Sequence, residues 1–251
     1  MADTDSKDGR KVDFGFETVS AREKTARVRD VFDTVATRYD VMNDLMSLGL
    51  HRIFKRIAVE TTGLRKGASV LDLAGGTGDL ALLLARAVGP SGRVVLADIN
   101  AAMLEVGRDR LLDAGFAGVE CVVANGEALP FADAIFDAVT IGFGLRNFTD
   151  KDAALGEIHR VLKPAGTLVV LEFSKPRNRL LGDLYRVFQR TWPLAGRFVV
   201  GDAAPYRYLI ESIEMHPDQD ALELMMSDAG FREIRYENLA GGVAAIHRGR
   251  K

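Results

Sequence analysis

Cysteine is almost absent from this sequence, and its scarcity excludes two kinds of stabilising site. Cys121 is the single cysteine among 251 residues, so the chain can form neither an internal disulfide nor a zinc site made of cysteines. Because Cys121 lies in the apolar run 119–123, it is expected to be a small buried side chain. The four histidines are scattered without the spacing of metal ligands, and we therefore expect no metal site.

Excess charge and long apolar runs are missing as well. The net charge is −2 and the isoelectric point is about 6.1, so no overall attraction to nucleic acid is expected. No apolar run approaches the roughly 18 residues that a membrane-spanning helix requires. Residues 1–13 mix aspartate with lysine and arginine, which predicts a disordered tail rather than a targeting peptide. The sequence thus favours a cytoplasmic protein.

What the sequence does contain is a glycine-rich turn between a strand pattern and a helix pattern. The strand 69–73 leads into Gly75-Gly76-Thr77-Gly78, and the helix 79–88 follows at once. Glycines let the main chain approach a ligand closely, and the first turn of a helix offers unpaired N–H groups. A second strand, roughly 20 residues further on, ends in Asp98, where a carboxylate can accept hydrogen bonds from two ribose hydroxyls. This order indicates a site for a nucleoside cofactor.

Two nucleoside cofactors fit this turn. Gly76 and Gly78 followed by Ala81 match the dinucleotide pattern G-x-G-x-x-A. The alternative is the tighter D-x-A-G-G-T-G-D form of S-adenosylmethionine sites, which begins at Asp72 and needs no space for a pyrophosphate. A nicotinamide enzyme needs an acid such as a Tyr-x-x-x-Lys pair, which this sequence lacks. The methyl donor is therefore favoured, with a nicotinamide enzyme or a non-catalytic nucleotide-binding regulator as alternatives.

Strand and helix patterns alternate over most of the chain, which predicts an α/β fold. The expected architecture is a doubly wound, mostly parallel, seven-stranded, Rossmann-like sheet. The predicted strands are 69–73, 93–98, 119–123, 136–141, 166–173, 231–238 and 242–247, and the last two form a hairpin at the sheet edge. The predicted helices of this unit are 79–88, 101–114, 151–161 and 218–229.

Two helical additions accompany a single predicted domain over residues 14–251. A helical lid (14–63) precedes the first strand and is expected to cover the mouth of the cofactor site. A helical insertion (178–215) follows the fifth strand. Within it, a set of apolar side chains is predicted to share one helical face, namely Leu180, Leu181, Leu184, Tyr185, Val187, Phe188 and Trp192. Arginines on the opposite face complete the pattern of an interfacial helix, although such a stripe is also typical of a protein core.

The order of these motifs resembles the class I S-adenosylmethionine-dependent methyltransferases. The general motifs are residues 72–79, 98–104, 128–137 and 162–166. Five further segments are similar to the UbiE-type C-methyltransferases of ubiquinone and menaquinone biosynthesis, namely residues 39–47, 142–147, 171–176, 206–209 and 215–219. The likeness covers roughly residues 14–248. Ala165 and Gly142 depart from it, since relatives usually carry glycine and often serine at these positions.

The resemblance implies methyl transfer from S-adenosylmethionine to a ring carbon of a polyprenylated quinol. Demethylmenaquinol would become menaquinol, or 2-methoxy-6-polyprenyl-1,4-benzoquinol its 5-methyl derivative, or both. Another small apolar or lipid substrate stays open as an alternative. The same resemblance suggests a peripheral contact with the inner membrane face or with a quinone-biosynthesis complex, and no nucleic-acid partner.

The site residues follow from the motif positions. The backbone of Gly76 and Gly78 with the Thr77 hydroxyl is expected on the methionine and ribose side of the cofactor, and Asp98 at the ribose hydroxyls. The residues expected beside the adenine are Asn125, Gly126, Ile99 and Met103.

Three residues are candidates for the chemistry. Arg146 follows the fourth strand, where a permanently charged guanidinium can stabilise a developing phenolate. Asp79 and Tyr39 are predicted to accept or relay a proton. Asp79 can equally be a charge at a helix N-terminus, and Tyr39 a core aromatic.

Overall fold

The computed structural model describes residues 10–35, 43–44, 46–193, 197 and 202–251. It opens with an antiparallel hairpin of β1 (Lys11–Phe14) and β2 (Glu17–Ser20). The prediction that residues 11–13 belong to a disordered tail is therefore wrong. Phe14 stacks on Tyr208 with ring centroids 4.4 Å apart, and this contact, distant in sequence, holds the strand in place.

Fifteen further elements follow the hairpin within the described residues. In chain order they are α1 (Ala21–Val35), α2 (Leu50–Thr61), β3 (Ser69–Leu73), α3 (Asp79–Val88), β4 (Arg93–Asp98), α4 (Ala101–Asp113), β5 (Glu120–Val123), β6 (Phe136–Gly142), α5 (Lys151–Val161), β7 (Leu162–Phe173), α6 (Arg179–Gln189), α7 (Ala204–Met215), α8 (Gln219–Asp228), β8 (Arg232–Leu239) and β9 (Ala244–Arg250). Short 3-10 turns lie at Leu145–Asn147 and Ala240–Gly242.

Seven strands form one sheet in the order β5-β4-β3-β6-β7-β9-β8. The pairs from β5 to β7 are parallel, whereas β9 runs antiparallel to both of its neighbours. The predicted α/β fold with a mostly parallel seven-stranded sheet is confirmed, and so is the hairpin at its edge. The carboxyl ends of β3, β4, β5 and β6 meet at one edge, where open α/β sheets bind their ligands.

The core lies on both faces of the sheet because neighbouring residues of a strand point to opposite sides. Leu71 and Leu73 pack against one cluster that includes α5 and α8. Val70 packs against the other, which includes α3 and α4. All three side chains are fully buried, so helices cover both faces, as a doubly wound sheet requires.

β7 is longer than predicted, beginning at Leu162 instead of residue 166. Phe136 pairs with Leu162 ahead of an irregularity in the ladder, so the first residues of β7 continue the sheet. Ala165 lies within this segment at φ 63°, in the left-handed region that glycine adopts with less strain. Alanine in place of the usual glycine therefore strains the backbone locally at this position.

The lid and the insertion pack against each other at the carboxyl end of the sheet. Val35 of α1 shares an apolar cluster with Leu209 and Ile213 of α7 and with Trp192 beyond α6. No helix within the described ranges is long and apolar enough to cross a bilayer.

The apolar residues of α6 form two stripes, so the prediction of one shared face is wrong. Leu180, Leu184 and Val187 are 59–69% exposed. The other stripe packs inward, with Tyr185 and Phe188 against Trp192. At about 100° per residue, the two stripes lie roughly a quarter turn apart on the helix.

Candidate active site

The glycine turn after β3 is confined between β4 and α4. A Cβ atom on Gly75 would lie 2.4 Å from Leu96 Cδ1 and 2.6 Å from Asp72 Oδ2. Gly76 has φ 52°. A Cβ atom on Gly107 of α4 would lie 2.9 Å from the carbonyl oxygen of Gly76. Glycine is therefore required on both sides of this contact, since any larger residue would move the turn.

Asp98 at the end of β4 is held by the same turn. Its Oδ2 accepts a hydrogen bond of 2.9 Å from the Gly76 N–H, and its Oδ1 accepts one of 2.9 Å from the Asn100 N–H. Burial raises the pKa of Asp98 above its ordinary value, although these backbone N–H groups favour the ionised form. The carboxyl group is thus oriented by the main chain before any ligand arrives.

A cavity of about 760 Å³, including its open mouth, lies beside Asp98. The residues at its sheet edge are Gly76, Asp98, Ile99, Asn100, Met103, Asn125 and Gly126. The structure therefore brings four of the predicted cofactor residues, together with both predicted apolar walls, to one cavity. Thr77 is buried, and neither Thr77 nor Gly78 is among the described lining residues.

Helix α1 and the loop after β6 form the other walls. The lining residues from these segments are Thr25, Val28, Arg29, Phe32, Phe143, Gly144, Asn147, Phe148 and Thr149. Asn100 Nδ2 donates to Asp33 Oδ1 at 2.8 Å and so ties α1 to the start of α4. Sequence reasoning missed these individual contacts, although it did predict a lid.

Gly126 allows an aromatic ring to close the far wall. A Cβ at Gly126 would lie 2.9 Å from Phe148 Cζ, so the ring packs against bare backbone. Asn125 Oδ1 accepts from the Glu127 N–H at 3.0 Å. Glu127 Oε1 in turn accepts from the Thr149 and Asp150 N–H groups. Glu127 thereby connects the loop after β5 to the loop after β6, a role that no local pattern indicates.

Two lining residues carry backbone strain. Ala74 and Phe143 adopt φ values of 52° and 58°, which glycine tolerates far better. Such strain persists only where the surrounding structure holds the residue in place, and strained non-glycine residues are concentrated at functional sites.

Asp79 is not among the described residues that line this cavity, and its carboxylate lies between two cations. Its Oδ2 accepts from Lys55 Nζ at 2.7 Å and its Oδ1 from Arg110 Nη2 at 2.7 Å. Burial opposes ionisation, but Lys55 and Arg110 outweigh it and lower the pKa of Asp79. A carboxylate in this setting is a weak base, so the contacts favour a structural ion pair over the proton acceptor that we predicted.

Arg146 is buried in an ion pair at the end of β6. Its Nη1 lies 2.8 Å from Glu172 Oε1, and only 4% and 2% of the two side chains are exposed. Nη1 also donates to the Phe143 carbonyl oxygen, and the guanidinium carbon lies 5.4 Å from the centre of the Phe173 ring. Arg146 is not among the described residues lining the cavity beside Asp98, but it lines two adjoining cavities. Tyr39, the third predicted catalytic residue, lies outside the described residues.

Comparison with known proteins places this arrangement among known methyltransferases. A ubiquinone/menaquinone biosynthesis C-methyltransferase UbiE from Hahella chejuensis is 56% identical over 240 residues, which are 95% of this chain and 96% of the relative. The protein of the same name from Pseudomonas putida is 55% identical and is covered to 94%.

Solved structures share the fold at much lower identity. A methyltransferase from Thermotoga maritima, described as a possible histamine N-methyltransferase, gives a TM-score of 0.62 at 20% identity, over 88% of this chain and 99% of that one. A methyltransferase from Aquifex aeolicus gives 0.59 at 19% identity, over 84% and 97%. The model of the ubiE/COQ5 methyltransferase family matches residues 18–251. The chain therefore belongs to the ubiE/COQ5 methyltransferase family.

Proposed function

We propose that this chain transfers a methyl group from S-adenosylmethionine to a ring carbon of a polyprenylated quinol. The product is a methylated menaquinol, a methylated benzoquinol, or both. The observation that carries the proposal is the cavity in which Asp98 and Gly76 meet the aromatic residues of the lid and loops. It agrees with the 55–56% identity to relatives named for quinone biosynthesis.

The residues of the cavity suit S-adenosylmethionine. Asp98 offers a carboxylate to two ribose hydroxyls, and Gly76 offers backbone without a side chain. Ile99 and Met103 provide apolar walls for the adenine ring beside Asn125. When bound, the cofactor supplies an electrophilic methyl group on a positively charged sulfur.

The chain contributes positioning and the exclusion of water. The protein holds a ring carbon in line with the transferred methyl group, so the two reactants need not meet by diffusion. This positioning can lower the activation barrier by about 7 kcal/mol or more. Phe32, Phe143 and Phe148 surround the cavity with apolar surface. The ring must be reduced, because a quinone carbon is itself electrophilic and cannot attack the methyl group.

The insertion is suited to shelter the isoprenoid tail. A groove of about 1070 Å³ between α6 and α7 is lined by Tyr185, Ile210 and Ile213. Its lining also includes one acid, Glu214, and four cations, namely Lys175, Arg177, Arg179 and Arg186. We infer that the tail leaves the catalytic cavity along this groove and that the exposed stripe Leu180, Leu184 and Val187 contacts a membrane surface, since each buried CH₂ contributes about 0.8 kcal/mol.

The two stripes of α6 give a matched test of this tail route. Replacing Leu180 and Leu184 with serine should leave thermal stability unchanged and weaken sedimentation with anionic vesicles at least fivefold. Replacing Tyr185 with serine should raise the KM for long-tailed quinols and spare a short-tailed analogue. Equal effects on both substrates would show that Tyr185 acts only in packing.

The activity itself is tested with the purified protein and S-adenosylmethionine. Chemically reduced demethylmenaquinone or the demethyl benzoquinol should gain one methyl group by mass spectrometry, and the oxidised quinones should not react. Asp98→Ala should weaken cofactor binding tenfold or more by calorimetry, because charge-assisted hydrogen bonds are worth about 1.5–3 kcal/mol each. The exposed Asp113→Ala is the control. Methylation of neither quinol would overturn the proposal and favour another lipid substrate.

A further inference from the structure

Two lysines, one buried (Lys24) and one half-buried (Lys151), donate to the same backbone carbonyl oxygen next to the cavity beside Asp98. Lys24 of α1 is 5% exposed, and its Nζ donates to the Phe148 carbonyl oxygen at 3.2 Å. Lys151 at the start of α5 donates to the same oxygen at 3.4 Å. Neither ammonium has a carboxylate within ion-pair distance among the residues that the structure describes. Buried, unpaired charges are unfavourable, and Lys151 also lies at the positive end of a helix dipole.

The lysines face a cavity, called here the electropositive cavity, whose described lining residues include more cations than acids. The cavity measures about 700 Å³, and its charged lining residues are Arg10, Lys11, Asp13, Lys24, Arg146 and Lys151. Arg10 is paired with Asp150 and Arg146 with Glu172. Among the described lining residues Asp13 is the acid that opposes the two lysines, and outside the lining Glu127 opposes both while Glu172 and Asp152 oppose Lys151. An anion in direct contact with both ammonium groups would still be stabilised, because charge-assisted hydrogen bonds are strong.

Two cavities share Arg146, and the cavity beside Asp98 shares a lining residue with each of them. Arg146 and Tyr208 line both the electropositive cavity and a small apolar one, which also includes Phe32 and Leu209. Phe32 in turn lines the cavity beside Asp98, and Thr149 lines both that cavity and the electropositive one. A flat apolar ring that carries an acidic hydroxyl matches this arrangement, with the ring at the apolar walls and its oxygen towards the lysines.

We propose that Lys24 and Lys151 bind the ionised ring hydroxyl of the quinol, and that the neutral amine of Lys24 accepts the hydroxyl proton. The inference rests on the proposed function and names the proton acceptor of that reaction. The O–H bond breaks with its electron pair left on oxygen, and an N–H bond forms on Nζ. The resulting quinolate faces two ammonium groups, and its ring carbon becomes a stronger nucleophile.

The electrostatic surroundings of Lys24 agree with this role. Burial and the neighbouring charge of Lys151 lower the pKa of Lys24 to about 8, while Asp13 on β1 and Glu127 after β5 oppose the shift. Burial also lowers the pKa of Lys151. A useful fraction of Lys24 is therefore neutral near physiological pH, whereas an ordinary lysine titrates at about 10.4. General bases contribute most when their pKa lies near the working pH.

The first test does not require turnover. We would titrate 1-naphthol, whose ultraviolet absorption changes when its hydroxyl ionises, with the full chain across pH 6–11. The protein should lower the apparent pKa of naphthol by one unit or more, and Lys24→Met and Lys151→Met should each remove at least half of that shift. Lys66→Met is the matched control, because Lys66 Nζ also donates to a carbonyl, that of Arg86, but lines a different cavity. A wild-type protein that leaves naphthol unshifted, or variants that behave like wild type, would overturn the inference.

The second test is the pH profile of turnover. With saturating reduced quinol, kcat should rise as pH increases through about 8, since the neutral amine is the active form. Lys24→Met should lose this limb and about 100-fold of kcat, while its affinity for S-adenosylhomocysteine stays within twofold. Lys24→Arg, which keeps the charge but cannot accept a proton, should not recover kcat. Recovery by arginine would assign Lys24 a purely structural role.

The outcomes separate this inference from the proposed function. If the wild-type protein methylates the quinol but Lys24→Met retains the pH limb, the inference fails and the function stands. If the wild-type protein methylates neither quinol, the proposed function fails whatever the naphthol titration gives. Removing a buried unpaired ammonium should not unfold the protein, and an unchanged midpoint of thermal unfolding would verify that the variants are native.

Discussion

Asp72 places a carboxyl group in the middle of the buried strand β3. Thr140 donates to its Oδ1 at 2.9 Å, and burial raises the pKa of Asp72 to about 7. In the unfolded chain an aspartate titrates at about 3.9. At pH values between these two pKa values, the folded state retains a proton that the unfolded state has lost. Asp72 therefore lowers the free energy of unfolding as pH rises from about 4 to 7.

Asp72→Asn should remove that pH dependence. The asparagine keeps an acceptor for Thr140 but cannot ionise, so the stability of the variant relative to wild type should increase steadily from pH 4 to 8. Urea unfolding at several pH values measures this difference. Asp113→Asn, at an exposed position, should show no such trend, and a flat difference for Asp72→Asn would mean that its carboxyl group titrates normally.

Variants of the buried ion pair between Arg146 and Glu172 can distinguish a role in stability from a role in chemistry. Removing one partner leaves the other charge buried, so Arg146→Met should lower the free energy of unfolding by about 3–5 kcal/mol. The double variant with Glu172→Gln should regain most of that stability, as measured by denaturant titration. If Arg146 stabilises the quinolate, turnover stays low in the double variant, and a recovered turnover would limit Arg146 to a structural role.

At the scale of elements, substitution by alanine should have opposite effects on stability at two glycines that lie within helices. Gly107 of α4 faces the glycine turn, and a Cβ there would lie 2.9 Å from the Gly76 carbonyl oxygen. Gly107→Ala should therefore cost about 1–3 kcal/mol of stability and weaken cofactor binding. A Cβ on Gly156 of α5 meets nothing within 4 Å, so Gly156→Ala should gain up to about 1 kcal/mol. Thermal unfolding and calorimetry on both variants check the contrast, and equal effects would contradict it.

The sequence predicted those parts of the site that are local in the chain. The glycine turn and Asp98 follow from strand and helix patterns, and a parallel sheet brings strand ends together. The contact of Asn100 with Asp33 depends on how α1 packs, which no local pattern specifies. The pairing of Arg146 with Glu172 joins the loop after β6 to the neighbouring strand β7, and no local pattern specifies this contact either.

The two stripes of α6 show a different limit. Hydrophobic periodicity detects an apolar side of a helix, but residues about 100° apart on the helix both count toward it. Leu184 is 60% exposed, whereas Phe188 lies 5.8 Å from Trp192 between ring centres. Only the packed structure distinguishes the stripe that meets the protein from the stripe left uncovered.

For the whole molecule, cofactor binding should appear as stabilisation. A ligand that binds only the folded state at 100 times its Kd adds about 2.7 kcal/mol, and each kcal/mol raises the unfolding midpoint by about 2–4 °C in a chain of this size. S-adenosylmethionine and S-adenosylhomocysteine should both raise the midpoint in differential scanning calorimetry, and NAD should not. Stabilisation by NAD alone would restore the dinucleotide alternative.

The position of β9 has a consequence for synthesis on the ribosome. β9 lies between β7 and β8, although Ala244 follows Phe173 by some 70 residues along the chain. Until β9 emerges, one edge of β7 and both edges of β8 lack a partner, and open edges favour aggregation. A nascent chain interrupted near residue 243 would therefore carry an exposed, adhesive sheet. Insertion of β9 between β7 and β8 pairs an open edge of each at once, so this late step removes surface at which nascent chains could associate.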